Sequence, residues 1–422
     1  MSMPQDNKRI LIFGEAILPP AYMPRIRYFM SYLKQNGWEV DFIVENSIYE
    51  NQFPTDVNVY AVDYYKFKNK VLSKIEWLIN FFVNLFFDYK GNFFYYKSKS
   101  ITKDKKYDIV FCSSCFTFPL TTAAKVAKKN GIPLVVDLRD IAEQSPNDHH
   151  YMSHKPPYLF GEFIINLFKN INLKRRNNAL NYANAVTTVS PWHVQTLKQY
   201  NPNVNLIYNG FDEKVFVPQL VPVNEFVISY FGRVYNQEMR NPRLLFGAIE
   251  NLSKQGIISP KHVTLKWYVD ESSQQVIQNI LADYQIDEYI KFYSFVNQQV
   301  LVDEMNKSSI LLTLSNDTSV KKYFGIMTTK LFESIGVNRP ILCIPKNDDD
   351  LSLLIEKENL GLTSSSITEI ENFIVEHFQT WQQNAYTVGA IPESKRLNFS
   401  RQKGGQILEK ILIDCINKKQ KK

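Results

Sequence analysis

The sequence is poor in the features that mark disulfide-rich and membrane-spanning proteins. Its 422 residues include four cysteines, too few for a disulfide framework, so a reducing compartment is expected. Cys112 and Cys115 have redox or zinc spacing, but no second pair accompanies them. No apolar run reaches membrane-spanning length, and Asp6, Lys8 and Arg9 argue against a signal peptide. We therefore expect a cytoplasmic protein.

Several functional classes lose support because their motifs are missing. Neither a dinucleotide-binding glycine fingerprint nor a P-loop follows any predicted strand, which argues against hydride transfer and ATP hydrolysis. His149 and His150 lack the spacing of metal ligands. The run Asp348 to Asp350 precedes a predicted helix at 351–358, so we expect helix capping and no metal site there. The basic residues form no nucleic-acid reading module, so no nucleic acid partner is expected.

Length and charge indicate two globular domains with an uneven basic surface. A chain of 422 residues is too long for one core, and 45% hydrophobic with 22% charged residues is typical of a soluble protein. The formal net charge is +7, and residues 1–215 hold the whole excess, with 26 Lys and Arg against 19 Asp and Glu. Such asymmetry favours a basic surface that faces phosphates, whether of lipid or of nucleic acid.

Apolar runs alternate with helical patterns, which is typical of doubly wound parallel α/β sheets. In the first half, strands are predicted at 9–14, 39–44, 108–112, 133–137, 185–189 and 205–208. After a linker at 217–222, strands are predicted at 226–231, 263–268, 289–293, 310–314 and 340–344. Ligands of such folds bind beyond the carboxyl ends of the strands. Arg25 and Arg27 begin the helix after the first strand, where they could bind an anionic partner or form a solvated first turn.

The aromatic segment Trp77–Phe87 interrupts this alternation. It is too short to span a bilayer, but lysines flank it on both sides: Lys66, Lys68, Lys70, Lys74, Lys90, Lys97 and Lys99. Aromatic residues between lysines suit a helix that lies in a membrane interface. A buried core helix with solvated flanks is the alternative, and the sequence leaves both open.

The stretch Gly325–Gly336 has the features of an anion-binding helix start. It follows the predicted strand 310–314, Thr328 and Thr329 suit an N-cap, and Gly325 lets a ligand approach the backbone. The first amide N–H groups of a helix have no partner within the helix, and together with the helix dipole they could hold a phosphate.

Lys330 and Glu333 lie three residues apart on the same face of this predicted helix. The Glu333 carboxylate could accept hydrogen bonds from two sugar hydroxyls. The alternative is a capped helix with a simple Lys–Glu pair.

Several short motifs occur in a recognisable order along the chain. They are Arg139-Asp140 after a strand, Ser190, Asn209–Asp212 before the linker, Gly232-Arg233 at the start of the second half, and Lys330–Glu333. Each motif is weak alone, but their order and spacing resemble family 4 glycosyltransferases of the GT-B fold. The similarity runs over about residues 8–415.

This resemblance implies an α/β protein with two Rossmann-like, doubly wound domains that face a central cleft. It assigns 1–216 to an acceptor-binding domain, 217–397 to a nucleotide-sugar-binding domain, and 398–422 to a helix that returns to the first domain. It implies metal-independent transfer of a hexose, with retention at the anomeric carbon and without a further cofactor. The donor would be a UDP- or GDP-linked sugar, and the acceptor lipid-linked or a saccharide. Many such enzymes build bacterial capsule or lipopolysaccharide at the inner face of the cell membrane.

By the same resemblance, most of the site residues lie in the second half. The catalytic residues would be Arg233, Arg240, Lys330 and Asp140, and the donor-binding residues Gly232, Gly325, Ile326, Met327, Thr328, Thr329 and Glu333. Cations and amide dipoles would stabilise the leaving diphosphate, and Glu333 would hold the ribose. For Arg240 a surface pairing with Glu238 is the alternative.

Two positions depart from the family pattern. Gly325 stands where many members carry a glutamate, so the donor sugar's hydroxyls must be recognised from elsewhere. Arg139 stands where many carry a histidine, so the acceptor side would rely on Asp140 or Glu143, together with Arg139 and the two helix-start arginines. Asp140 could instead pair with Arg139 or cap the next segment. These departures keep two alternatives open, an inactive nucleotide-binding or scaffold protein of the GT-B fold and a nucleotide-sugar epimerase.

Overall fold

The computed structural model describes residues 8–16, 24–46, 56–65, 67, 69–115, 117–144, 162–235, 240–316 and 324–420. The chain divides into two compact units. The first comprises Met1–Tyr208 and Gly404–Lys422, and the second comprises Asn209–Lys403. Both divisions lie a few residues from the boundaries expected at 216/217 and 397/398. His149, His150, Lys66 and Lys68 lie outside the described residues.

The described strands of the first unit form one parallel sheet in the spatial order β3-β2-β1-β4-β5-β6-β7. They are β1 (Arg9–Ala16), β2 (Glu39–Glu45), β3 (Asn58–Val62), β4 (Ile109–Ser114), β5 (Leu134–Leu138), β6 (Ala185–Thr188) and β7 (Val204–Leu206). The order reverses between β1 and β4, which places the ligand crevice of a doubly wound sheet at their carboxyl ends. The doubly wound α/β fold predicted from the sequence is therefore confirmed for this unit.

Helices lie on both faces of this sheet. They are α1 (Pro24–Gln35), α2 (Lys70–Phe87), α3 (Tyr89–Ile101), α4 (Leu120–Asn130), α5 (Glu162–Tyr182) and α6 (Pro191–Leu197). Alternation along β1 divides its side chains between two cores: Ile10 and Ile12 pack with one cluster, and Leu11 and Phe13 with the other. Strands that are buried on both faces explain why the sequence shows continuous apolar runs here.

The described strands of the second unit form a parallel sheet in the order β10-β9-β8-β11-β12-β13. They are β8 (Phe226–Phe231), β9 (Val263–Tyr268), β10 (Ile290–Tyr293), β11 (Ile310–Leu314), β12 (Ile341–Ile344) and β13 (Gly361–Thr363). The helices are α7 (Arg243–Lys254), α8 (Glu271–Leu281), α9 (Gln298–Asn306), α10 (Thr329–Val337), α11 (Asp350–Lys357), α12 (Ile367–Asn384) and α13 (Glu393–Arg396). Here the order reverses between β8 and β11, so these two strands define the crevice of this unit.

The last helix, α14 (Arg401–Gln420), packs on the first unit from Gly404 onward. Its Glu409 accepts hydrogen bonds from the Trp38 indole at 2.9 Å and from the Tyr32 hydroxyl at 3.3 Å. Gly405 lies against the Tyr32 ring, and a Cβ added there would stand 2.6 Å from the ring. The sequence predicted this helix at about 400–417. Its packing against α1 could be seen only in the structure.

Candidate active site

The start of α10 lies beside the carboxyl end of β11, in the crevice of the second unit. Thr328 caps the helix, and its side-chain oxygen accepts the Lys330 N–H at 3.3 Å. Gly325 has a φ of 71°, in the left-handed region that favours glycine, so the chain can turn into the helix here. The Met327 side chain is buried, and the Met327 carbonyl accepts a hydrogen bond from the Asn209 side chain at 3.4 Å. The predicted capped helix start is present.

Lys330 and Glu333 form an ion pair of 2.7 Å within α10. Glu333 is nearly buried, at 9% exposure, while the Lys330 side chain is 36% exposed. The pair that the sequence allowed as an alternative is thus real. It leaves Lys330 accessible to an anion and holds the Glu333 carboxylate in a fixed orientation.

Asp349 lies in the loop after β12 and anchors the loop before α10. Its Oδ1 accepts the Gly325 N–H at 2.7 Å and the Asp350 N–H at 2.9 Å, and it is the N-cap of α11. The expected capping role of the run 348–350 therefore falls to its middle residue. Burial raises the pKa of Asp349, and the N–H groups that bind its carboxylate offset this only in part.

Arg233 follows the end of β8 and lies at the surface of the crevice. Its Nε is 3.0 Å from Oδ2 of Asp270, and its guanidinium lies over the Phe295 ring at 5.9 Å. Asp270 also caps α8 by accepting the Ser273 N–H at 2.9 Å. The Arg233 side chain remains 47% exposed, so a stronger anion can compete with Asp270 for it.

Arg240 folds back onto the same strand end. Its Nη1 donates to the Arg233 carbonyl at 2.9 Å, and its guanidinium lies over the Tyr235 ring at 5.2 Å. The Tyr230 hydroxyl donates to the same carbonyl at 2.9 Å, and burial raises the pKa of that hydroxyl. Glu238, the alternative partner of Arg240, lies outside the described residues.

These segments enclose one cavity at the carboxyl edge of the second sheet. The described lining residues include Gly232, Arg240, Ser315, Asn316, Ile326, Thr328, Lys330 and Asp349. The structure therefore brings together five residues that the sequence assigned to donor binding or catalysis. Arg233 adjoins Gly232, and Glu333 is bonded to Lys330, so both stand directly beside this cavity. Two cations and a helix N-terminus in its lining make the cavity suited to a polyphosphate.

Arg25, predicted for the acceptor side, has a structural role instead. It is buried, and its guanidinium donates to Asp137 through Nε at 3.2 Å and Nη2 at 2.9 Å. Its Nη1 donates to the carbonyls of Ile207 and Tyr208 at 2.7 and 2.9 Å. These contacts use the donors of the guanidinium inside the protein. Arg27, two residues further along α1, is partly buried, and burial lowers its pKa.

Glu143 likewise takes part in an internal ion pair. Its two carboxylate oxygens accept from Arg176 at 2.6 and 2.8 Å, and the Tyr200 hydroxyl donates to it at 3.2 Å. Burial alone would raise the pKa of Glu143, but the Arg176 guanidinium lowers it overall. A carboxylate held in this way is poorly placed to serve as an acceptor-side base.

Arg139 and Asp140 lie at the carboxyl end of β5, next to a carboxylate that the sequence did not single out. The Arg139 guanidinium is 3.9 Å from Glu15, and the Cys115 thiol is 3.2 Å from the exposed Asp140. Glu15 accepts the Ser114 hydroxyl at 2.7 Å and also the Cys115 N–H. Asp140 is exposed whereas Glu15 is buried, so Asp140 is the more accessible of these two carboxylates.

His193 is a second polar residue of this edge that the motifs did not reveal. It is fully buried, its Nδ1 lies 3.0 Å from the Thr188 hydroxyl, and burial lowers its pKa to about 4. Ser190 caps α6 by accepting the His193 N–H at 3.2 Å. The sequence motif at Ser190 therefore marks the start of α6, and the buried His193 in the first turn of this helix is neutral.

Helix α2 contains the predicted aromatic segment and is turned with an apolar face outward. Its exposed side chains are Val71, Leu72, Ile75, Leu78, Ile79, Phe82, Phe86 and Phe87. Its buried residues include Asn80 and Asn84, which exchange hydrogen bonds with the Tyr64 hydroxyl at 3.0 and 3.1 Å. Phe81 and Leu85 are buried beside them, so α2 is apolar on its outward face as well as its inward face, whereas an ordinary surface helix is polar on its outward face. Among the described residues no helix is long and apolar enough to cross a membrane.

The flanking lysines of α2 are not equivalent. Lys90 is buried and forms a 2.7 Å ion pair with Glu45, so its predicted place at a membrane surface is wrong. Lys70, Lys74, Lys97 and Lys99 are exposed. Beside α2, helix α5 adds the exposed apolar residues Phe163 and Leu167.

Comparison with known proteins agrees with this architecture. The model of Glycosyltransferase Family 4 matches residues 25–215. Two solved structures similar to the chain are HepE from Anabaena in complex with UDP and a glycosyltransferase from Rickettsia africae. Both similarities have a TM-score of 0.61. HepE is 16% identical in sequence, and the match covers 96% of this chain and 99% of HepE. The Rickettsia glycosyltransferase is 14% identical, and the match covers 97% of this chain and 99% of that protein's chain.

The similarity extends to other enzymes of the same architecture. Sucrose-phosphate synthase from Thermosynechococcus elongatus has a TM-score of 0.58 and 12% identity, with 97% of each chain covered. No curated protein matches the sequence significantly. At such identities the structural matches show the fold, while the family match rests on the first unit. The resemblance seen in the motifs is thus supported by the family 4 glycosyltransferase model over residues 25–215, and the chain has the GT-B fold of the similar structures.

Proposed function

We propose that this glycosyltransferase moves a hexose from a nucleotide sugar to a lipid-linked or saccharide acceptor, with retention at the anomeric carbon, in the synthesis of a bacterial surface glycan. The observation that carries this proposal is the cavity of the second unit, which Arg240, Lys330 and the start of α10 all line. HepE was solved with UDP, UDP-glucose, and UDP with glucose, which supports a UDP-linked donor, with a GDP-linked donor as the other candidate.

In the proposed reaction, negative charge grows on the leaving nucleoside diphosphate. Lys330 and Arg240 would meet this charge directly, and the exposed Arg233 would reach it by leaving Asp270. Each charge-assisted hydrogen bond contributes roughly 1.5–3 kcal/mol. The backbone N–H groups of 326–329 add the dipole of α10. These groups could supply the compensation that other enzymes obtain from a metal, so we propose metal-independent transfer without a further cofactor.

Glu333 would hold the nucleoside by accepting hydrogen bonds from the ribose hydroxyls. The ion pair between Lys330 and Glu333 would then fix the position of the group that binds the diphosphate relative to the group that binds the ribose. The acceptor hydroxyl loses its proton during transfer. In a retaining reaction the leaving phosphate can take that proton, and the exposed Asp140 at the carboxyl end of β5 is the proposed residue on the acceptor side.

We also propose that the enzyme works at the inner face of the cell membrane. The outward apolar face of α2, defined by its eight exposed side chains, would lie among lipid acyl chains. The exposed lysines at both ends of this region would contact anionic head groups. An apolar face of this extent is unusual on a surface exposed only to water. A membrane location would bring the enzyme to a lipid-linked acceptor.

The donor assignment is tested by thermal shift and calorimetry with UDP- and GDP-linked sugars, followed by product analysis. Glu333→Ala and Arg233→Ala should each weaken binding of the preferred donor about tenfold or more. Lys254→Ala, which removes an exposed lysine of α7, is the matched control and should leave binding unchanged. Full turnover by either site variant would refute the assigned roles. Nucleotide binding without sugar transfer to any acceptor would instead favour a scaffold protein.

A further inference from the structure

The donor cavity is lined by a carboxylate, Asp349, although binding of an anionic diphosphate does not require a negative charge there. Among the described residues that line the cavity, Asp349 is the one carboxylate, and it shares the wall with Arg240 and Lys330. A purely anionic ligand would be repelled by such a group. The cavity also presents the Ser315 and Asn316 positions, so its lining combines cations with hydrogen-bonding groups. This combination fits a ligand with an anionic part and a part rich in hydroxyl groups.

A short network fixes the position of Asp349. The Asn347 side chain donates to the Asn316 carbonyl at 2.9 Å and accepts the Asp349 N–H at 3.1 Å, so it ties the end of β11 to the loop after β12. The Asp349 carboxylate in turn accepts the N–H groups of Gly325 and Asp350. Asp349 is only 6% exposed. Its carboxylate is therefore preorganised by the protein at the cavity wall.

We propose that Asp349 is a specificity-determining residue whose carboxylate accepts a hydrogen bond from a hydroxyl of the donor sugar. This assignment rests on the proposed function. An ionised carboxylate has about four acceptor sites, and the backbone N–H groups of Gly325, Ile326 and Asp350 occupy only part of them. Residue 325 is a glycine, so it has no side chain that could stand between the Asp349 carboxylate and a ligand in the cavity. The nucleotide would be held by the cations and α10, and the sugar would be selected by Asp349.

A purely structural role for Asp349 makes a different prediction. If the carboxylate served only to hold the loop before α10, its loss would disturb the backbone N–H groups that receive the diphosphate. Binding of UDP and of UDP-sugars would then weaken together. A residue that contacts the sugar affects only ligands that carry one. The ratio of the two affinities therefore separates the roles.

The test uses Asp349→Asn in the full-length protein, with dissociation constants measured by calorimetry for UDP, UDP-glucose and UDP-galactose, and for GDP and GDP-mannose. For the nucleotide series that the wild-type protein binds, the diphosphate alone should bind within about twofold of wild type. The nucleotide sugar should bind about 10- to 100-fold more weakly, because a hydrogen bond to a charged group is lost. Discrimination between glucose and galactose donors, measured as the ratio of kcat/KM values, should also shrink.

Asp348→Asn is the matched control, because it removes the same charge from an exposed neighbour that does not line the cavity. It should leave all the constants unchanged. If Asp349→Asn fails to fold, as judged by thermal unfolding, Asp349→Ser is measured in its place, since serine retains a capping oxygen. Equal weakening of diphosphate and nucleotide sugar, or no weakening of either, would overturn the assignment of Asp349. Failure of the wild-type protein to bind any nucleotide sugar would overturn the proposed function as well.

Discussion

The guanidinium of Arg25 and the carboxylate of Asp137 form a buried, two-point ion pair, with Nε to Oδ2 at 3.2 Å and Nη2 to Oδ1 at 2.9 Å. Both residues are almost inaccessible to solvent. Asp137 also accepts the hydroxyls of Ser113 at 2.9 Å and Thr187 at 2.7 Å. The pair therefore joins α1 to β5 and to the two strands beside it, at the carboxyl edge where the acceptor is expected to bind.

Replacing Arg25 by methionine should destabilise the first unit by about 3–5 kcal/mol, because it leaves the Asp137 carboxylate buried without its counter-charge. Denaturant unfolding would measure this loss. The double variant Arg25→Met with Asp137→Asn should recover part of the stability, since no buried charge then remains unpaired. Wild-type stability of Arg25→Met alone would contradict a stabilising role of the Arg25–Asp137 ion pair.

The same ion pair predicts a dependence of stability on pH. Burial alone would raise the pKa of Asp137, but Arg25 and the two hydroxyls outweigh burial and lower it overall. A carboxyl group with a lowered pKa in the folded state adds stability above its unfolded pKa of about 3.9, and this stability is lost as the pH falls through the folded value. In Arg25→Met the buried Asp137 has a raised pKa, so protonation removes its unpaired charge as the pH falls. Thermal unfolding between pH 3 and 7 should therefore show the stability deficit of Arg25→Met shrinking as the pH is lowered.

The course of the chain could be predicted from the sequence, whereas the roles of its charged residues could not. Strands such as β8 and β11 are buried on both faces, so they appear in the sequence as unbroken apolar runs. The partner of Arg25 lies 112 residues away, and no local pattern encodes such a contact. The two asparagines that face inward on α2 are a further example, because their hydrogen bonds with the Tyr64 hydroxyl form only once the helix is docked.

Phe86 is 62% exposed on the outward face of α2 and should contribute to membrane binding. Phe86→Glu should reduce binding to anionic liposomes by about tenfold or more, because it removes the transfer energy of a large apolar side chain and adds a negative charge. Co-sedimentation with vesicles that contain phosphatidylglycerol would measure the change. Far-UV circular dichroism and thermal unfolding would show that the fold is intact.

Leu353→Glu is the matched control for this experiment, because Leu353 is a similarly exposed apolar residue, at 51%, on α11 of the second unit. It should leave liposome binding unchanged. Equal losses in both variants would indicate a general effect of charge. If binding persisted in Phe86→Glu, α2 would not be the docking surface, and its outward face would have to be covered by a protein.

The seat of α14 on α1 depends on the small size of Gly405. An added Cβ would lie 2.6 Å from the Tyr32 ring, so the ring or the helix must move. Alanine gains up to about 1 kcal/mol in helix propensity, but overpacking typically costs 1–3 kcal/mol. Gly405→Ala should therefore lower the stability of the first unit in denaturant unfolding. Gly404→Ala, whose Cβ meets the side chain of Ile207 at 3.2 Å, should be closer to neutral. Equal stability of the two variants would show that α14 is seated differently.

The donor site divides in the same way between what the sequence could and could not predict. Thr328, Lys330 and Glu333 lie within one short helix, so local spacing was enough to place them together. The bond from Gly325 to Asp349 crosses from the loop before α10 to the loop after β12, and it needs the pairing of β11 with β12 to form. The run 348–350 was recognised as a helix cap, but a cap signal does not reveal that the same carboxylate also reaches a cavity.

Asp270 occupies the guanidinium that the diphosphate is expected to bind, so it should weaken nucleotide affinity. Asp270→Asn removes the competing charge, and asparagine is an equally good N-cap for α8. Because the Arg233 pair is exposed, its loss should change stability by about 1 kcal/mol or less. We expect the affinity for the preferred nucleoside diphosphate to rise severalfold in calorimetry at low salt, and the gain to shrink as added salt screens the charges. In an Arg233→Ala background the substitution should have a much smaller effect. An equal gain in both backgrounds would show that Asp270 acts on the ligand directly and that Arg233 is not its receptor.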